Sequence, residues 1–269
     1  MHYDTIKKPL GKVFNQTSWL RILFYKLLDL LLLRSWHIRK ELKKINKDNI
    51  RVLDAGSGFG QYDYYMSSLN RSWNILGVDV KPEQIEDCNQ FFKSIKRDDR
   101  VKFELADLTR FQNQDYYDLI LSVDVMEHIE EDELVFSNFH SSLKQDGVLI
   151  ISTPSDQGGS DTHEHHGDEI TGFIEEHVRD GYNIEDIKQK LKKAGFGKVE
   201  AGYTYGTPGK ISWKFSMKYP IQMVNISKLF FVLLPFYYLI IYPFCFVLNY
   251  FDLIGEHSTG TGLKVIAHK

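Results

Sequence analysis

Apolar and polar positions divide the chain into three parts. Residues 19–45 read as one helix, in which Leu20, Ile22, Leu23, Phe24, Leu27, Leu28 and Leu30 to Leu33 cover more than a single stripe. Ser18 fits the N-cap, and Lys43 and Lys44 in the last turn complement the helix dipole. Arg21, Lys26, Asp29 and Arg34 interrupt the run too often for a membrane span. The helix is therefore wedged between two apolar surfaces or lies in a membrane interface.

From Arg51 onward, short apolar runs alternate with amphipathic stretches. The runs are Val52-Leu53, Ile75 to Val78, Val101 to Leu105, Leu119 to Leu121 and Val148 to Ile151, and each but the last is soon followed by a helical pattern. Pro82 sits where a first-turn proline is tolerated, and Gly147 is expected to end a helix that starts near Glu130. This alternation predicts right-handed crossovers and a mostly parallel sheet with helices on both faces, an α/β fold. After a polar loop rich in Gly and His (residues 155–181), a helix is expected from Ile184 to Ala194. Strands follow at Lys198 to Tyr205 and Leu263 to His268.

Between those last two strands, Leu229 to Phe251 form a run of 23 residues without a charge. At ~1.5 Å per residue the run reaches ~34 Å, enough for a bilayer core of ~30 Å. A single crossing, however, would leave the final strand on the wrong side of the membrane. Pro235 and Pro243 also divide the run. A bent helical pair is expected, either dipping into one leaflet or closing over the site as a buried cap. The resulting division is a basic, apolar N-terminal cap (1–48), an α/β core (49–207), an apolar helical insertion (208–256) and the last core strand (257–269).

Composition narrows the class. With 43% hydrophobic and 26% charged residues in 269, the chain is globular, which excludes collagen-like and wholly disordered readings. The net charge of -3 hides a partition. Residues 1–50 hold eleven Lys/Arg against four Asp/Glu, residues 51–204 sixteen against thirty, and residues 205–269 six against two. Basic, apolar ends point to a membrane face or an anionic amphiphile rather than nucleic acid, for which no binding motif occurs. Two cysteines, Cys88 and Cys245, give no disulfide framework, and the polar start lacks a charged-then-apolar leader. A cytoplasmic protein, peripheral to the inner face of a membrane, is the expectation.

The chemistry is concentrated in Val52-Leu53-Asp54-Ala55-Gly56-Ser57-Gly58-Phe59-Gly60. Alternate glycines let the backbone turn sharply and approach a ligand, and the following helix start adds amide donors. The spacing differs from the Gly-x-Gly-x-x-Gly of dinucleotide sites. A carboxylate beside this loop would repel a pyrophosphate but suits a ligand with ammonium and sulfonium charges. Asp79 closes the second strand, placed for two ribose hydroxyls, and Asp107 closes the third, placed for an exocyclic amine. The fourth strand leads through Ser122 and Val123 to Glu127-His128. All lie at carboxyl ends of strands, where open α/β sheets bind ligands.

This ordered set resembles the class I S-adenosylmethionine-dependent methyltransferases, particularly the group with a Glu-His pair after the fourth strand. The resemblance covers residues 50–205 and the final strand, including Leu143 to Pro154. It implies a Rossmann-like, seven-stranded, mostly parallel sheet with an antiparallel last strand. By position it assigns Asp54, Gly56, Ser57, Gly58 and Gly60 to the methionine part of S-adenosyl-L-methionine. Asp79 and Val80 then serve the ribose, Asp107 and Leu108 the adenine, and the backbone near Ser122 and Val123 the sulfonium. An oxygen nucleophile needs a base, for which histidine is suited. His128 is a candidate or a structural helix-start histidine. The loop bearing His163, His165 and His166 is a solvated loop, a lid that donates a base, or a metal site; the lid is favoured and no metal is assigned. Arg179 is expected to pair with a neighbouring acid. The expected activity is O-methylation of a lipophilic small molecule or lipid at a membrane surface. N-methylation of a lipid amine, or a non-catalytic S-adenosylmethionine-binding membrane-docking protein, are the alternatives. The methyl acceptor and the oligomeric state are not encoded in any of these signals.

Overall fold

In a computed structural model, residues 17–158 and 178–269 are described. Seven strands form one sheet: β1 (Arg51–Ala55), β2 (Asn74–Asp79), β3 (Val101–Leu105), β4 (Tyr117–Val123), β5 (Leu143–Pro154), β6 (Lys198–Thr204) and β7 (Gly262–His268). Their order is β3-β2-β1-β4-β5-β7-β6. The pairings from β3 through β5 are all parallel, and β7 runs antiparallel to both β5 and β6. Because β7 is reversed, β6 ends and β7 begins at the same edge, with Thr204 opposite Gly262. That edge also carries the carboxyl ends of β1 to β5, so the long insertion between β6 and β7 leaves and re-enters at the ligand side.

Alternation along the strands sends side chains to two cores. Val52, Ile75, Val101, Leu119 and Ile150 meet Tyr25, Ile38, Met66, Cys88 and Phe92 from the helices α1 (Ser18–Leu31), α2 (Leu33–Leu42), α3 (Gln61–Leu69) and α4 (Pro82–Ser94). Leu53, Ile120, Leu149 and Ile151 face the other way. They meet Val135, Phe136 and Phe139 of α5 (Asp132–Ser142) and Ile187 and Leu191 of α6 (Ile184–Lys193). Each fully buried aromatic such as Phe92 contributes about 1.5–3 kcal/mol through area removed from water.

Three elements differ from the sequence reading. The first helix is two, broken at Leu32, whose ψ of 110° leaves the helical region. The Leu30 carbonyl, orphaned by the break, accepts from Trp36 Nε1 at 3.1 Å and from the Tyr242 hydroxyl at 2.7 Å. Ser18 is the first helical residue and not the cap, and Thr17 at that position makes no side-chain cap bond. The helix expected to run to Gly147 ends at Ser142, because Leu143 already pairs with Tyr117. Asp146, at φ 64°, turns the chain into the rest of β5.

The apolar run is the third difference. It forms one helix, α9 (Phe230–Ile254), with Pro235 and Pro243 inside it rather than breaking it. The run is thus not itself a helical pair; it is one leg of a hairpin whose other leg lies upstream. That leg is α7 (Thr207–Trp213), a wider π-type turn (Lys214–Lys218) and α8 (Tyr219–Ile226). Carbonyls in the wide turn accept the hydroxyls of Tyr237 and Tyr238, Phe215 at 2.8 Å and Ser216 at 2.7 Å. These cross-bonds tie the legs together alongside the prolines. The hairpin is pinned to the core by buried Asp252, which accepts from Tyr205 N at 3.2 Å and Gly209 N at 3.1 Å and lies 3.0 Å from His37 Nε2.

Candidate active site

All three glycines after β1 have positive φ, 85° at Gly56, 54° at Gly58 and 79° at Gly60. A Cβ on Gly56 would lie 2.2 Å from Val125, so the turn after β4 closes directly on the glycine loop. At Gly58 a Cβ would meet nothing within 4 Å, so the loop is open to solvent-side space at its crest. Gly56 N and Ser57 N donate to Val78 O, at 2.8 and 2.9 Å. Gly58 N donates to Asp79 Oδ2 at 3.0 Å, and Lys81 N to Asp79 Oδ1 at 3.0 Å. The acid at the end of β2 is thereby fixed against the loop.

Val80 and Leu105, beyond β2 and at the end of β3, are exposed apolar side chains beside Asp79. They offer a flat apolar wall, and Leu105 had no distinguishing signal in the sequence. Asp107 accepts from Thr109 N at 2.9 Å and Thr109 Oγ1 at 2.8 Å, and these donors hold its carboxyl below the usual range. It therefore also serves as the cap of its own turn, next to buried Leu108.

Beneath the loop, Asp54 is buried beside Asp63 of α3. Among the described residues, no group donates to Asp54 Oδ2 or to either oxygen of Asp63. A proton held by the pair would supply a donor between them. Burial pushes Asp54 up to about 7 and Asp63 well above the usual range, further raised by the charge of Asp54. The sequence reading missed Asp63, since an acid in a first helical turn is ordinarily a dipole partner.

The end of β4 forms the opposite wall. Ser122 is fully buried with an unpartnered Oγ, and Val123 is half-buried. Asp124 has φ 53° and is ion-paired with Arg34 of α2. The Tyr205 hydroxyl accepts from Arg34 N at 3.1 Å, and Tyr62 lies 3.4 Å from Ser35 Oγ. Burial raises both phenols, Tyr205 to about 12. In the short turn Met126–His128, Glu127 is buried and accepts from Thr153 Oγ1 at 3.0 Å; burial and the charge of Asp124 push it up to about 8. His128 follows, half-buried, its amide on Val125 O at 3.0 Å. Arg179 pairs with Asp132, as expected from sequence. His163, His165 and His166 lie outside the described residues.

The N-terminal helices cover this edge. Arg21 Nη2 donates to Phe59 O at 2.8 Å, the Tyr25 hydroxyl donates to the same carbonyl, and Gln61 Nε2 donates to Asp29 Oδ1 at 2.8 Å.

A family model described as a methyltransferase domain matches residues 46–201. The chain belongs to that family. The matched region carries the glycine loop, Asp79, Asp107 and the turn after β4, and the family's class I members use S-adenosylmethionine. A phosphoethanolamine N-methyltransferase of Triticum aestivum is 31% identical over 156 residues, 58% of this chain and 29% of that protein. A ubiquinone biosynthesis O-methyltransferase of Pelagibacter ubique is 25% identical over 122 residues, 45% of this chain and 48% of that protein. The matched stretch thus spans less than half of either relative. Among solved structures, Haemonchus contortus phosphoethanolamine N-methyltransferase 2, in complex with phosphomonomethylethanolamine and S-adenosylhomocysteine, superposes with a TM-score of 0.59. It shares 20% identity over 85% of this chain and 51% of that one, and the likeness is one of fold.

The site fits the cofactor on its own chemistry. Among the described residues, buried oxygens of Asp54, Ser57 and Ser122 lack a partner, the glycine turn is open at Gly58, and carboxylates there would suit a ligand that carries ammonium and sulfonium charges. Asp79 lies at one end of that crest, and Val80 with Leu105 offers an apolar wall for a flat ring.

Proposed function

We propose that the chain transfers a methyl group from S-adenosylmethionine to a lipophilic small molecule or lipid at a membrane surface, with oxygen as the acceptor atom. The observation that carries the reaction class is the loop unit made by Gly56, Gly58 and Asp79 above the buried Asp54. Bound there, S-adenosylmethionine supplies an electrophilic methyl group on a sulfonium. The residues would work mainly by alignment, since an in-line displacement gains much of its rate from orientation. Asp54 and the glycine turn would line the methionine end, Asp79 and Val80 the ribose, Asp107 with Leu108 the adenine, and Ser122 with Val123 the sulfonium side. His128, after β4, would accept the proton of a hydroxyl acceptor. The lipophilic acceptor is supported by the apolar α9 hairpin, which leaves and re-enters the sheet at the ligand edge.

N-methylation is the second reading. Its support comes from the relatives rather than from the acids after β4, since Asp124 is paired with Arg34 and Glu127 is buried and raised to about 8. The Triticum relative named for phosphoethanolamine is an N-methyltransferase. Turnover with labelled S-adenosylmethionine on matched phenols and amines of increasing chain length tests both. Methylated product that increases with chain length supports the proposal. Binding without turnover on any acceptor would leave a non-catalytic binding protein.

A further inference from the structure

The outer face of α9 is an exposed apolar surface to which the methyl-transfer reading gives no role. Its inward side carries Cys245, Asn249 and Asp252 at helical spacing, all buried. Its outward side exposes Phe231, Val232, Phe236, Leu239, Ile240 and Val247, with Leu239 and Ile240 each 75% exposed. A surface helix of a water-soluble domain is polar on the face turned away from the core. This one is apolar on that face, and its only charged residue, Asp252, points inward. The face runs the length of a 25-residue helix, about 37 Å at 1.5 Å per residue. It also meets a second stripe. Trp19, Leu23, Leu27 and Leu30 are exposed along α1, and Leu30 O is the acceptor for Tyr242 of α9.

Charge decides what covers it. The upstream leg and the turn into α9 carry Lys210, Lys214, Lys218 and Lys228 and no acid, and α1 adds exposed Lys26. A second copy docked face to face would bring its own lysines against these, whereas anionic headgroups complement them. Spanning is also disfavoured. The hairpin begins and ends at neighbouring residues of the sheet, Thr204 and Gly262, so threading it through a bilayer would drag the lysine-bearing leg into the apolar layer. We infer that the outer face of α9 and the α1 stripe lie flat in one leaflet of an anionic membrane, lysines at the headgroups and the ligand edge of the sheet turned toward the bilayer. The inference rests on the functional reading for its purpose, since it names the membrane as the partner from which a lipophilic acceptor reaches the site.

Flotation tests it with the full chain, on vesicles of phosphatidylcholine and phosphatidylglycerol at about 3:1 and low salt. The wild type should float, and the double variant Leu239→Glu, Ile240→Glu should float at least tenfold less. Calorimetric binding of S-adenosylhomocysteine by the variant, equal to wild type, confirms that the fold is intact and reads the methyltransferase proposal separately. Wild type that stays soluble and monomeric overturns the inference. So does a soluble dimer that the glutamates split, which would assign the face to a second copy, and so does a variant that floats as well as wild type. None of these outcomes changes cofactor binding, whose loss would instead overturn the functional reading alone.

Discussion

The Gly58 amide donates to Asp79 Oδ2 at 3.0 Å, so the turn after β1 and the acid that ends β2 form a single unit. Replacing Asp79 by Ala removes both the clamp on the loop and a charged acceptor at its rim. S-adenosylmethionine affinity should fall tenfold or more, since charge-assisted bonds contribute about 1.5–3 kcal/mol and ~1.4 kcal/mol is a factor of ten. Titration calorimetry of the variant checks this, and an unchanged affinity would contradict the assignment.

The raised, buried pair Asp54 and Asp63 makes stability depend on pH. The folded pair holds its proton to higher pH than the unfolded chain, with Asp54 raised to about 7. Its contribution is therefore full below the ordinary carboxylate range and is lost as pH rises from about 4 to 7. In Asp63→Asn an amide donates to Asp54 with no titratable proton. The ligand-free variant should be more stable at pH 8 by about 1 kcal/mol or more, a rise of roughly 2–4 °C in Tm, with a smaller gain at pH 5. Thermal melts at the two pH values decide; equal shifts at both would show that no shared proton exists.

His128 stands for the oxygen-acceptor reading. His128→Ala should lower kcat by ~10²–10⁴ on a hydroxyl acceptor while cofactor affinity stays constant. Turnover within a few-fold of wild type would show that alignment alone suffices, or that the acceptor is an amine.

Asp252 should prove structural. Asp252→Ala strands the buried donors Tyr205 N, Gly209 N and His37 Nε2, a loss of about 2–5 kcal/mol. Urea unfolding should record that loss, together with faster proteolysis within residues 207–254. A stability loss below about 0.5 kcal/mol would show that the hairpin is held by apolar packing instead.

The sheet and its ligand edge were legible because their signals are local. Glycines and acids follow short apolar runs at fixed spacing, and Asp54, Asp79 and Asp107 fall at the ends of successive strands β1 to β3. What covers the edge was not legible. Arg21 reaches the Phe59 carbonyl 38 positions away, and Arg34 reaches Asp124 across 90. No periodicity within α1 or α2 encodes those partners. Pro235 and Pro243 signalled a break in the apolar run, and the contrary evidence was tertiary, the hydroxyls of Tyr237 and Tyr238 on the opposite leg. The break at Leu32 was hidden for the same reason, since Trp36 and Tyr242 satisfy the carbonyl it frees.

The most direct test of the central claim is calorimetric titration of the wild-type chain with S-adenosylmethionine, S-adenosylhomocysteine and NAD under one set of conditions. The glycine loop with Asp54 beneath it and Asp79 at its rim predicts saturable binding of both adenosyl ligands, with NAD weaker because its pyrophosphate meets carboxylates. Tighter binding of NAD than of S-adenosylmethionine, or no heat with either adenosyl ligand, would contradict it.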